Sequence, residues 1–389
     1  MRRLFILGSE GLPADYGGLE TFTQELATRL VDRGWPVTVT CEHTRDESPG
    51  PDTYEGVDLV YIEGPGNNLR TIVSDRKALL RCAELASPGD VAYLLGYGVG
   101  PFAWGAIRKV KRRGVEFWLN PDGHEWKRPK WPWHVQRYFH FCEWFLLGQA
   151  DRIFCDAAAI RDHHAAEYGV REERMEVVEY GAPLVDRVED EALLRRRDEF
   201  LAEHGVEPGR YYTYVGRFVP DNNLEMMVRG VLDPRIGRPL LVFAAHDEDD
   251  PFYRRIASLV EASDDPDAVV LTGGVYDQPL LRALRLAAFA HFHGHEVGGT
   301  NPSLVEAMGL GSFILALDTP YNREVLDDAG LFFQKDVESF VRTVREAEAL
   351  DDDRVDELRE RARDRVRSHY NWERITDEYE RCLRAGANG

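Results

Sequence analysis

Apolar and polar positions along the chain follow two alternating periods, and this alternation indicates an α/β protein. Short runs rich in β-branched and aromatic residues have the length of strands, and between them the apolar residues recur every three or four positions, as in helices. In the first helical segment Leu19, Phe22, Leu26 and Leu30 share one face, and Gly34 is placed to end it. This alternation is typical of doubly wound parallel sheets.

The strand-length runs fall into two series, which predicts two successive α/β domains. At 389 residues the chain is too long for one ordinary core, in agreement with this division. We predict an N-terminal domain over 1–182 and a C-terminal domain over 205–370, with a last helix over about 371–389 that could pack on either. The predicted strands are 4–8, 37–42, 58–63, 91–95, 116–120 and 152–156 in the first series, and 211–216, 240–245, 268–273, 289–294, 313–317 and 330–333 in the second.

Composition and charge narrow the possible functions. The net charge of −20 argues against general nucleic-acid binding, which needs a basic face. No apolar stretch approaches the roughly 20 residues that span a bilayer, and the apolar run at the N-terminus is too short for an export segment. The five cysteines lack metal-type spacing, which favours reduced thiols. We therefore expect a cytoplasmic protein, with a position at the inner face of the cytoplasmic membrane as the alternative.

A glycine-rich turn follows the first predicted strand. Gly8, Gly11, Gly17 and Gly18 come directly before a helix. Glycines let main-chain amides approach an anion, and a helix N-terminus presents unpaired N–H groups, so a phosphate could bind there. The spacing matches neither the dinucleotide-binding fingerprint nor the phosphate-binding loop of nucleotide triphosphatases. A plain turn remains the alternative.

The second domain carries two further anion-binding candidates. Arg217 directly follows the first strand of its series, at the end where open α/β sheets bind ligands, although a simple surface arginine is the alternative. In the segment HGHEVGGTNPSLVEAMG, amides near Gly299 and Thr300 could receive a diphosphate at a helix N-terminus. Glu306, one turn inside that helix, could accept hydrogen bonds from ribose hydroxyls, or merely complement the helix dipole.

Metal ligands are not indicated in the same segment. His291, His293 and His295 alternate along a strand edge, but they have no acidic or cysteine partner in a zinc pattern. We therefore predict no metal site.

A candidate general base and a basic, aromatic patch lie in the segment NPDGHEWKRPKWPW of the first domain. Asp122, His124 and Glu125 follow a strand, where a base could meet an acceptor hydroxyl, or they are only turn and cap residues. The residues after them suit an anionic membrane surface or a lipid phosphate, although some of the aromatics must be core. The patch comprises Lys127, Arg128, Lys130, Trp131 and Trp133, followed by Arg137, Tyr138, Phe139, Trp144 and Phe145.

The motifs in order resemble the family-four glycosyltransferases over nearly the whole chain. They are LGSEGLPADYGGLETFTQELA, NPDGHEWKRPKW, VEYGA, VGRFVPDNNLE, LTGGVYDQ, HGHEVGGTNPSLVEAMG and HYNWERI. The chain is most similar to the bacterial rhamnosyltransferase-like subgroup, with its YGGxETF and GGTNPSLxEAM motifs. The resemblance implies the GT-B fold, two Rossmann-like domains facing across a cleft with the last helix crossing back onto the first. It also implies a nucleoside-diphosphate sugar as substrate, no cofactor and no obligatory metal.

The resemblance also assigns roles to individual residues. It implies that Gly17 and Gly18 face the donor phosphates, that Arg217 binds the diphosphate and that Glu306 binds the nucleotide ribose. The set of donor-binding candidates is completed by Asn222, Gly298, Gly299, Thr300 and Asn301.

Two positions depart from the broad family pattern. Asp221, Asn222 and Asn223 stand where the family usually has a lysine, and Gly298 stands where it has an acid, with Glu296 near but out of register. These departures bring the usual retaining stereochemistry into question. An inverting displacement would need a side-chain base, for which Asp122 is the first choice and Glu125 and His124 are the alternatives.

The resemblance thus implies hexosyl transfer, and the similarity to the rhamnosyltransferase-like subgroup implies dTDP-rhamnose as the best donor. The expected acceptor is a polyprenyl-diphosphate-linked saccharide or glycan of a surface polysaccharide. Two alternatives remain open, a retaining transferase that uses a GDP- or UDP-sugar, and a non-catalytic partner subunit that binds nucleotide sugar or glycan.

Overall fold

The computed structural model describes residues 1–14, 17–44, 49–65, 70–128, 130–185 and 190–386. The chain divides into two compact units. The first unit comprises Met1–Tyr180 with Trp372–Gly389, and the second comprises Gly181–Asn371.

The described strands of the first unit form one eight-stranded sheet in the order β3-β4-β2-β1-β5-β6-β7-β8. Neighbouring strands are parallel except β3, which runs antiparallel to β4. The strands are β1 (Leu4–Leu7), β2 (Val37–His43), β3 (Thr53–Tyr54), β4 (Val57–Glu63), β5 (Val91–Leu95), β6 (Glu116–Asn120), β7 (Arg152–Cys155) and β8 (Met175–Val177). The helices between them are α1 (Gly18–Asp32), α2 (Arg70–Leu85), α3 (Trp104–Arg112), α4 (Trp133–Gln149) and α5 (Ala158–Tyr168).

The second unit has a six-stranded sheet in the order β11-β10-β9-β12-β13-β14, and all its described pairs are parallel. The strands are β9 (Tyr212–Val215), β10 (Leu240–Phe243), β11 (Val269–Gly273), β12 (Ala290–His293), β13 (Ile314–Leu317) and β14 (Leu331–Phe333). The helices are α6 (Glu191–Glu203), α7 (Leu224–Val231), α8 (Pro251–Glu261), α9 (Gln278–Leu286), α10 (Pro302–Gly309), α11 (Pro320–Leu326), α12 (Val337–Glu348) and α13 (Asp352–Ser368).

The terminal helix α14 (Trp372–Ala385) belongs to the first unit. Its Tyr379 is fully buried, lies stacked on Phe154 with ring centroids 4.6 Å apart, and shares a 2.7 Å hydrogen bond with the hydroxyl of Tyr93. Arg33, beyond the end of α1, forms ion pairs with Glu373, Asp377 and Glu380 of α14. The last helix therefore completes the core of the unit in which the chain begins.

The twelve strands predicted from the sequence are all confirmed, with ends shifted by at most two residues. The prediction missed β3 and β8, which have two and three residues and therefore too little pattern to detect. The helical face of Phe22, Leu26 and Leu30 is buried, as predicted. Among the described residues, no helix combines the length and the apolar character that crossing a bilayer requires.

The strand order locates the expected ligand edge of each unit. In each sheet the chain first adds strands on one side of its first strand and then continues on the other side. This change of direction lies between β1 and β5 in the first sheet and between β9 and β12 in the second. Open parallel sheets bind ligands at such switch points, outside the carboxyl ends of the strands. The loops after β9 and β12 hold the donor-binding candidates of the second unit.

Candidate active site

The loop after β9 presents Arg217 to solvent. Arg217 is exposed, and within the described part of the chain its guanidinium has no hydrogen-bonding or ionic partner. Its main-chain carbonyl accepts hydrogen bonds from Tyr214 Oη and Asn222 Nδ2, both at 3.1 Å. The loop is therefore fixed while the guanidinium remains available for an anion.

The asparagines that replace the family lysine have a positioning role in this loop. Asn222 and Asn223 are buried, and Asn223 has a positive φ of 54°. Asn223 Nδ2 donates to the carbonyl of Gly294 at 2.9 Å, and the amide of Glu296 donates to the carbonyl of Asp221 at 3.0 Å. These bonds tie the loop after β9 to the loop after β12.

The loop between β12 and α10 contains a glycine, Gly298, whose backbone φ is positive. Gly298 has φ 145°, and a side-chain carbon placed there would have only Asn301 Nδ2 within 4 Å, at 3.8 Å. Asn301 precedes α10 but its side chain makes no cap bond to the helix, and Pro302 stands at the first helical position. Gly299 and Thr300 are buried. The amide groups at this helix start are suited to an anion.

Glu306 is held by an arginine that the sequence reasoning missed. Arg285 on α9 is almost fully buried, donates from Nη1 to Glu306 Oε2 at 3.1 Å, and donates from Nη2 to the carbonyl of Ser303 at 2.9 Å. Burial lowers the pKa of Arg285, although the charge of Glu306 opposes this change. The Glu306 side chain remains 39% exposed, so a fixed carboxylate faces solvent one turn inside α10.

A lysine lies beside the same loop, although not at the position where the broad family has one. Lys335 follows β14 and donates from Nζ to Glu296 Oε2 at 2.5 Å. Its side chain is 58% exposed. Because parallel strands end at one edge, the loop after β14 brings a second cation to the edge that carries Arg217.

The histidines of β12 lie in the interior. His291 and His293 are buried, and His291 Nδ1 lies 3.1 Å from Thr213 Oγ1. Burial lowers the pKa of His293 to about 3, which keeps its ring neutral. His295 stacks on His293 with ring centroids 4.4 Å apart.

In the first unit, the glycine turn before α1 carries an acidic side chain. Gly17 has φ 127°, and a side-chain carbon there would lie 2.1 Å from Glu20 Oε2. Glu20 Oε1 accepts a hydrogen bond from the amide of Glu10 at 3.3 Å. The positive φ of Gly17 favours glycine at this position, and the Glu20 carboxylate places negative charge where a donor phosphate was expected.

Asp122 follows β6 in an unusual conformation. Its φ is 57°, which is uncommon outside glycine, and its amide donates to Asn120 Oδ1 at 2.7 Å. The side chain is half-buried. Residues with unusual backbone conformations are enriched at functional sites, and the role of Asp122 as the base stays a prediction.

Glu125 is engaged by three donors. Its carboxylate contacts Arg128 Nε at 2.8 Å, Lys130 Nζ at 2.7 Å and Trp131 Nε1 at 2.7 Å. Burial by itself would raise the pKa of Glu125, but the charges of Arg128 and Lys130 lower it below its ordinary value. A carboxylate held in this way is a weak proton acceptor and has a structural role in this loop.

His124 is fully buried beside another buried carboxylate. Its Nδ1 lies 3.3 Å from Glu143 Oε1, which His164 Nε2 also contacts. The other oxygen of Glu143, Oε2, accepts hydrogen bonds from Trp126 and Tyr168. Burial lowers the pKa of His124. One potential ligand atom each from His124, Glu143 and His163 lie within 4.8 Å of one another, the one such cluster among the described residues. These are the residues that could hold a metal ion in this unit.

The basic, aromatic patch is partly a surface and partly an internal network. Trp133 and Lys127 are exposed, whereas Arg128, Lys130 and Trp131 surround Glu125. Along α4 the exposed face continues from Trp133 through Arg137, Phe141 and Trp144. The exposed fractions of Trp133 and Trp144 are 72% and 53%, so large rings face solvent over three turns of helix.

A cavity of about 190 Å³ lies at the carboxyl ends of β1, β2 and β4 in the first unit. Its wall includes Glu10, Glu20 and Glu42, and the buried residues Ser9, Ser74 and Asp75. Burial, with the nearby charge of Glu42, raises the pKa of Asp75 to about 8. The sequence reasoning did not identify this cavity, because its residues come from five separate segments.

Two family models match parts of the sequence. Residues 273–381 match a family described as glycosyl transferase-like, and residues 1–183 match a family described only as a domain of unknown function, DUF1972. No curated protein matches the sequence.

Solved structures match the whole chain at low sequence identity. Sucrose-phosphate synthase from Thermosynechococcus elongatus has 17% identity and a TM-score of 0.80, with 99% of each chain covered. HepE from Anabaena in complex with UDP has 12% identity and a TM-score of 0.74, covering 99% of this chain and 100% of that one. A glycosyltransferase from Rickettsia africae has 12% identity and a TM-score of 0.74, covering 99% and 98%.

These likenesses confirm the predicted fold class, two parallel-sheet α/β domains of the GT-B type. The match over 273–381 covers the segment with Glu306 and the start of α10. Residues 273–381 are therefore similar to a glycosyl transferase-like family, and the chain as a whole has the GT-B fold.

Proposed function

We propose that this chain transfers a hexosyl group from a nucleoside-diphosphate sugar to a saccharide acceptor. The observation that carries the proposal is the pair of Arg285 and Glu306, in which a buried cation fixes a half-exposed carboxylate at the start of α10. Fixing the carboxylate before the ligand arrives reduces the entropy lost when it binds a hydroxyl of the nucleotide's sugar. Arg217 and the amides at the start of α10 then receive the diphosphate.

The first choice of donor nucleotide is dTDP, as the subgroup resemblance implies, and the alternatives are GDP and UDP, of which UDP is present in the structures of HepE. A deoxyribose linked to diphosphate offers one free hydroxyl to Glu306, whereas ribose offers two adjacent ones. Glu306 Oε2 already accepts from Arg285, so Oε1 is the less occupied oxygen. A single hydroxyl suits this arrangement, and dTDP-rhamnose is therefore kept as the first choice of donor.

The proposed chemistry is an inverting displacement in which Asp122 removes the proton from the acceptor hydroxyl. Asp122 is preferred because Glu125 is held by two cations and His124 is fully buried. Arg217, with Lys335 nearby on the same edge, would stabilise the charge on the departing diphosphate. This is electrostatic catalysis by the chain's own residues.

The proposed acceptor is a saccharide linked to a polyprenyl diphosphate at a membrane surface. The aromatic face of α4 supports this choice, because tryptophan rings and cations favour the headgroup region. The chain as a whole carries a net charge of −20. The exposed face of α4 differs from this acidic average, because it presents a cation and two large aromatic rings at Arg137, Trp133 and Trp144.

The proposal is tested by measuring release of the nucleoside diphosphate from dTDP-rhamnose and from UDP-, GDP- and dTDP-hexoses, with and without a polyprenyl-diphosphate saccharide. We expect one donor to be consumed, faster with the acceptor present. Nucleotide binding without any turnover would instead favour the non-catalytic partner subunit. Turnover of a UDP- or GDP-sugar with retention would establish the other alternative.

A further inference from the structure

Two histidines in the interior of the first unit each have a ring nitrogen without a partner. His124 follows β6 and is fully buried, and His163 lies on α5 and is partly buried. Within the described part of the chain, Nε2 of His124 and Nε2 of His163 are buried and have no hydrogen-bond partner. The two rings lie edge to face, with centroids 4.2 Å apart. Because a buried polar atom without a partner is costly, two at one place indicate that a ligand completes the site.

The third group at this place is the carboxylate of Glu143 on α4. Its Oε2 accepts hydrogen bonds from Trp126 Nε1 at 2.8 Å and from the hydroxyl of Tyr168. Its Oε1 is held more loosely, since His124 Nδ1 and His164 Nε2 lie 3.3 and 3.2 Å away, at the upper limit for a hydrogen bond. Oε1 is therefore the oxygen available to a cation, while the bonds at Oε2 orient the carboxylate, as outer partners do in metal sites.

The three residues have the chemistry and the spacing of zinc ligands. One potential ligand atom from each of His124, Glu143 and His163 lies within 4.8 Å of the other two. Two atoms bound to the same zinc ion are at most about 4.2 Å apart, so only small side-chain movements are needed to bind the ion. Two imidazoles with one carboxylate are a ligand set that zinc accepts.

The local charges favour a cation. Burial by itself would raise the pKa of Glu143, but hydrogen bonds from His124 and His164 lower it well below its ordinary value, so the carboxylate is ionised. Burial lowers the pKa of His163 to about 4, and the ring is therefore neutral and keeps a lone pair. The charge of Lys127 opposes a cation, but Lys127 is exposed and screened by solvent, whereas Glu143 is fully buried.

We propose that His124, Glu143 and His163 bind a zinc ion that has a structural role in the first unit. A water molecule completes the four ligands of the ion. The protein ligands come from the loop after β6, from α4 and from α5, so the ion cross-links three separate segments. The loop after β6 also carries Asp122, and the ion therefore helps to fix the position of that residue.

The ion takes no part in sugar transfer, so the inference goes beyond the proposed function and does not depend on it. His124 and Glu143 are fully buried, which keeps a sugar substrate away from the ion. The partly exposed side of the site, at His163, provides the path by which the ion enters.

The test measures metal binding by the intact protein. The protein is treated with a chelator, dialysed, and titrated by calorimetry with zinc chloride, and with magnesium chloride as the ion that prefers oxygen ligands. We expect one zinc ion to bind per chain and to raise the melting temperature, and magnesium to do neither. His163→Gln changes a partly exposed residue, and it should weaken zinc binding about tenfold or more and remove most of the rise in melting temperature.

Two control variants separate this site from other histidines. His134→Ala removes an exposed histidine of α4, and His291→Gln removes a buried histidine of the second unit whose Nε2 also lacks a partner among the described residues. Both should bind zinc as the unchanged protein does. If His163→Gln does not fold, the unchanged protein decides, since the chelator should lower its melting temperature and zinc should restore it.

Two results would overturn the inference. Absence of zinc binding to the unchanged protein would show that water satisfies the two histidine nitrogens. Zinc binding that is equally tight in His163→Gln, or that leaves the melting temperature unchanged, would show adventitious binding at the surface only.

Discussion

The side-chain amide of Asn223 donates to the carbonyl of Gly294 at 2.9 Å, so the loop that presents Arg217 is fixed to the loop that leads to Glu306. Asn223 also has a positive φ, a conformation in which asparagine is better tolerated than most residues. The sequence alone showed these asparagines only as the loss of a lysine. Their position shows that they join the two loops that we propose bind the donor.

Asn223→Gly is expected to retain the backbone conformation and lose only the hydrogen bond. Stability to urea should fall by about 1 kcal/mol, and binding of the nucleoside diphosphate should weaken because the two loops are no longer tied. Asn223→Ala should cost about 1–2 kcal/mol more, since alanine is strained at positive φ. Equal stability of the glycine and alanine variants would contradict this explanation.

Asp122→Asn should abolish sugar transfer while leaving donor binding intact. Asparagine keeps the positive φ but cannot accept a proton from the acceptor hydroxyl. Initial rates and thermal shifts with the donor measure the two effects separately. Glu125→Gln is the comparison, and it should lower stability through its contacts with Arg128 and Lys130 while retaining transfer. Near-normal turnover in Asp122→Asn would assign the base to another residue.

Asp75 should make the protein less stable as the pH rises from about 4 to about 8. Its pKa is raised from 3.8 to about 8 by burial and by the charge of Glu42, so over this range the unfolded chain releases a proton that the folded chain retains. Below the range the carboxyl is protonated in both states and its contribution to stability is fully present. Above it the contribution is lost.

Urea unfolding at pH 5, 6, 7 and 8 tests this expectation. Asp75→Asn has no proton to release, so its stability relative to the unchanged protein should increase steadily with pH. A difference that is constant over the four values would show that Asp75 is ionised in the folded state.

The exposed aromatic face of α4 should bind anionic vesicles. Replacing Trp133 and Trp144 together by alanine should weaken sedimentation with vesicles of phosphatidylglycerol at least several-fold, because both rings are more than half exposed and contribute little to the core. Tyr276→Ala, at a residue 63% exposed in the second unit, is the matched control and should have no effect. If vesicle binding falls equally in the double tryptophan variant and in Tyr276→Ala, or if the unchanged protein binds no vesicles, α4 has no membrane role.

The sequence predicted the sheets well because buried parallel strands are continuous apolar runs. The loop that we propose binds the donor could be located from the sequence, since its glycines and Glu306 lie close together in the chain, and its role stays a prediction. Arg285 was missed because it is 21 residues before Glu306. The sequence signal that could have identified it is a charged residue on the apolar face of a helix, since Arg285 lies on the buried face of α9 with Leu281 and Leu284.

The same signal applies to Glu143, a charged residue among the buried positions of α4. A charge on the apolar face of a predicted helix has to be paired or hydrogen-bonded inside the protein. The cavity at Ser9, Ser74 and Asp75 had no comparable signal. Its residues are ordinary in the sequence and are brought together only by the order of the strands.

The most direct test of the central claim, that the second unit binds a nucleoside-diphosphate sugar through Arg217 and Glu306, is a thermal-shift comparison. The unchanged protein, Arg217→Ala and Glu306→Ala would be heated with dTDP, UDP, GDP and their sugars, since a ligand that binds only the folded state raises its apparent stability. We expect one nucleotide, dTDP first, to raise the melting temperature of the unchanged protein and to raise it less in both variants. No shift with any nucleotide, or equal shifts in all three proteins, would contradict the account.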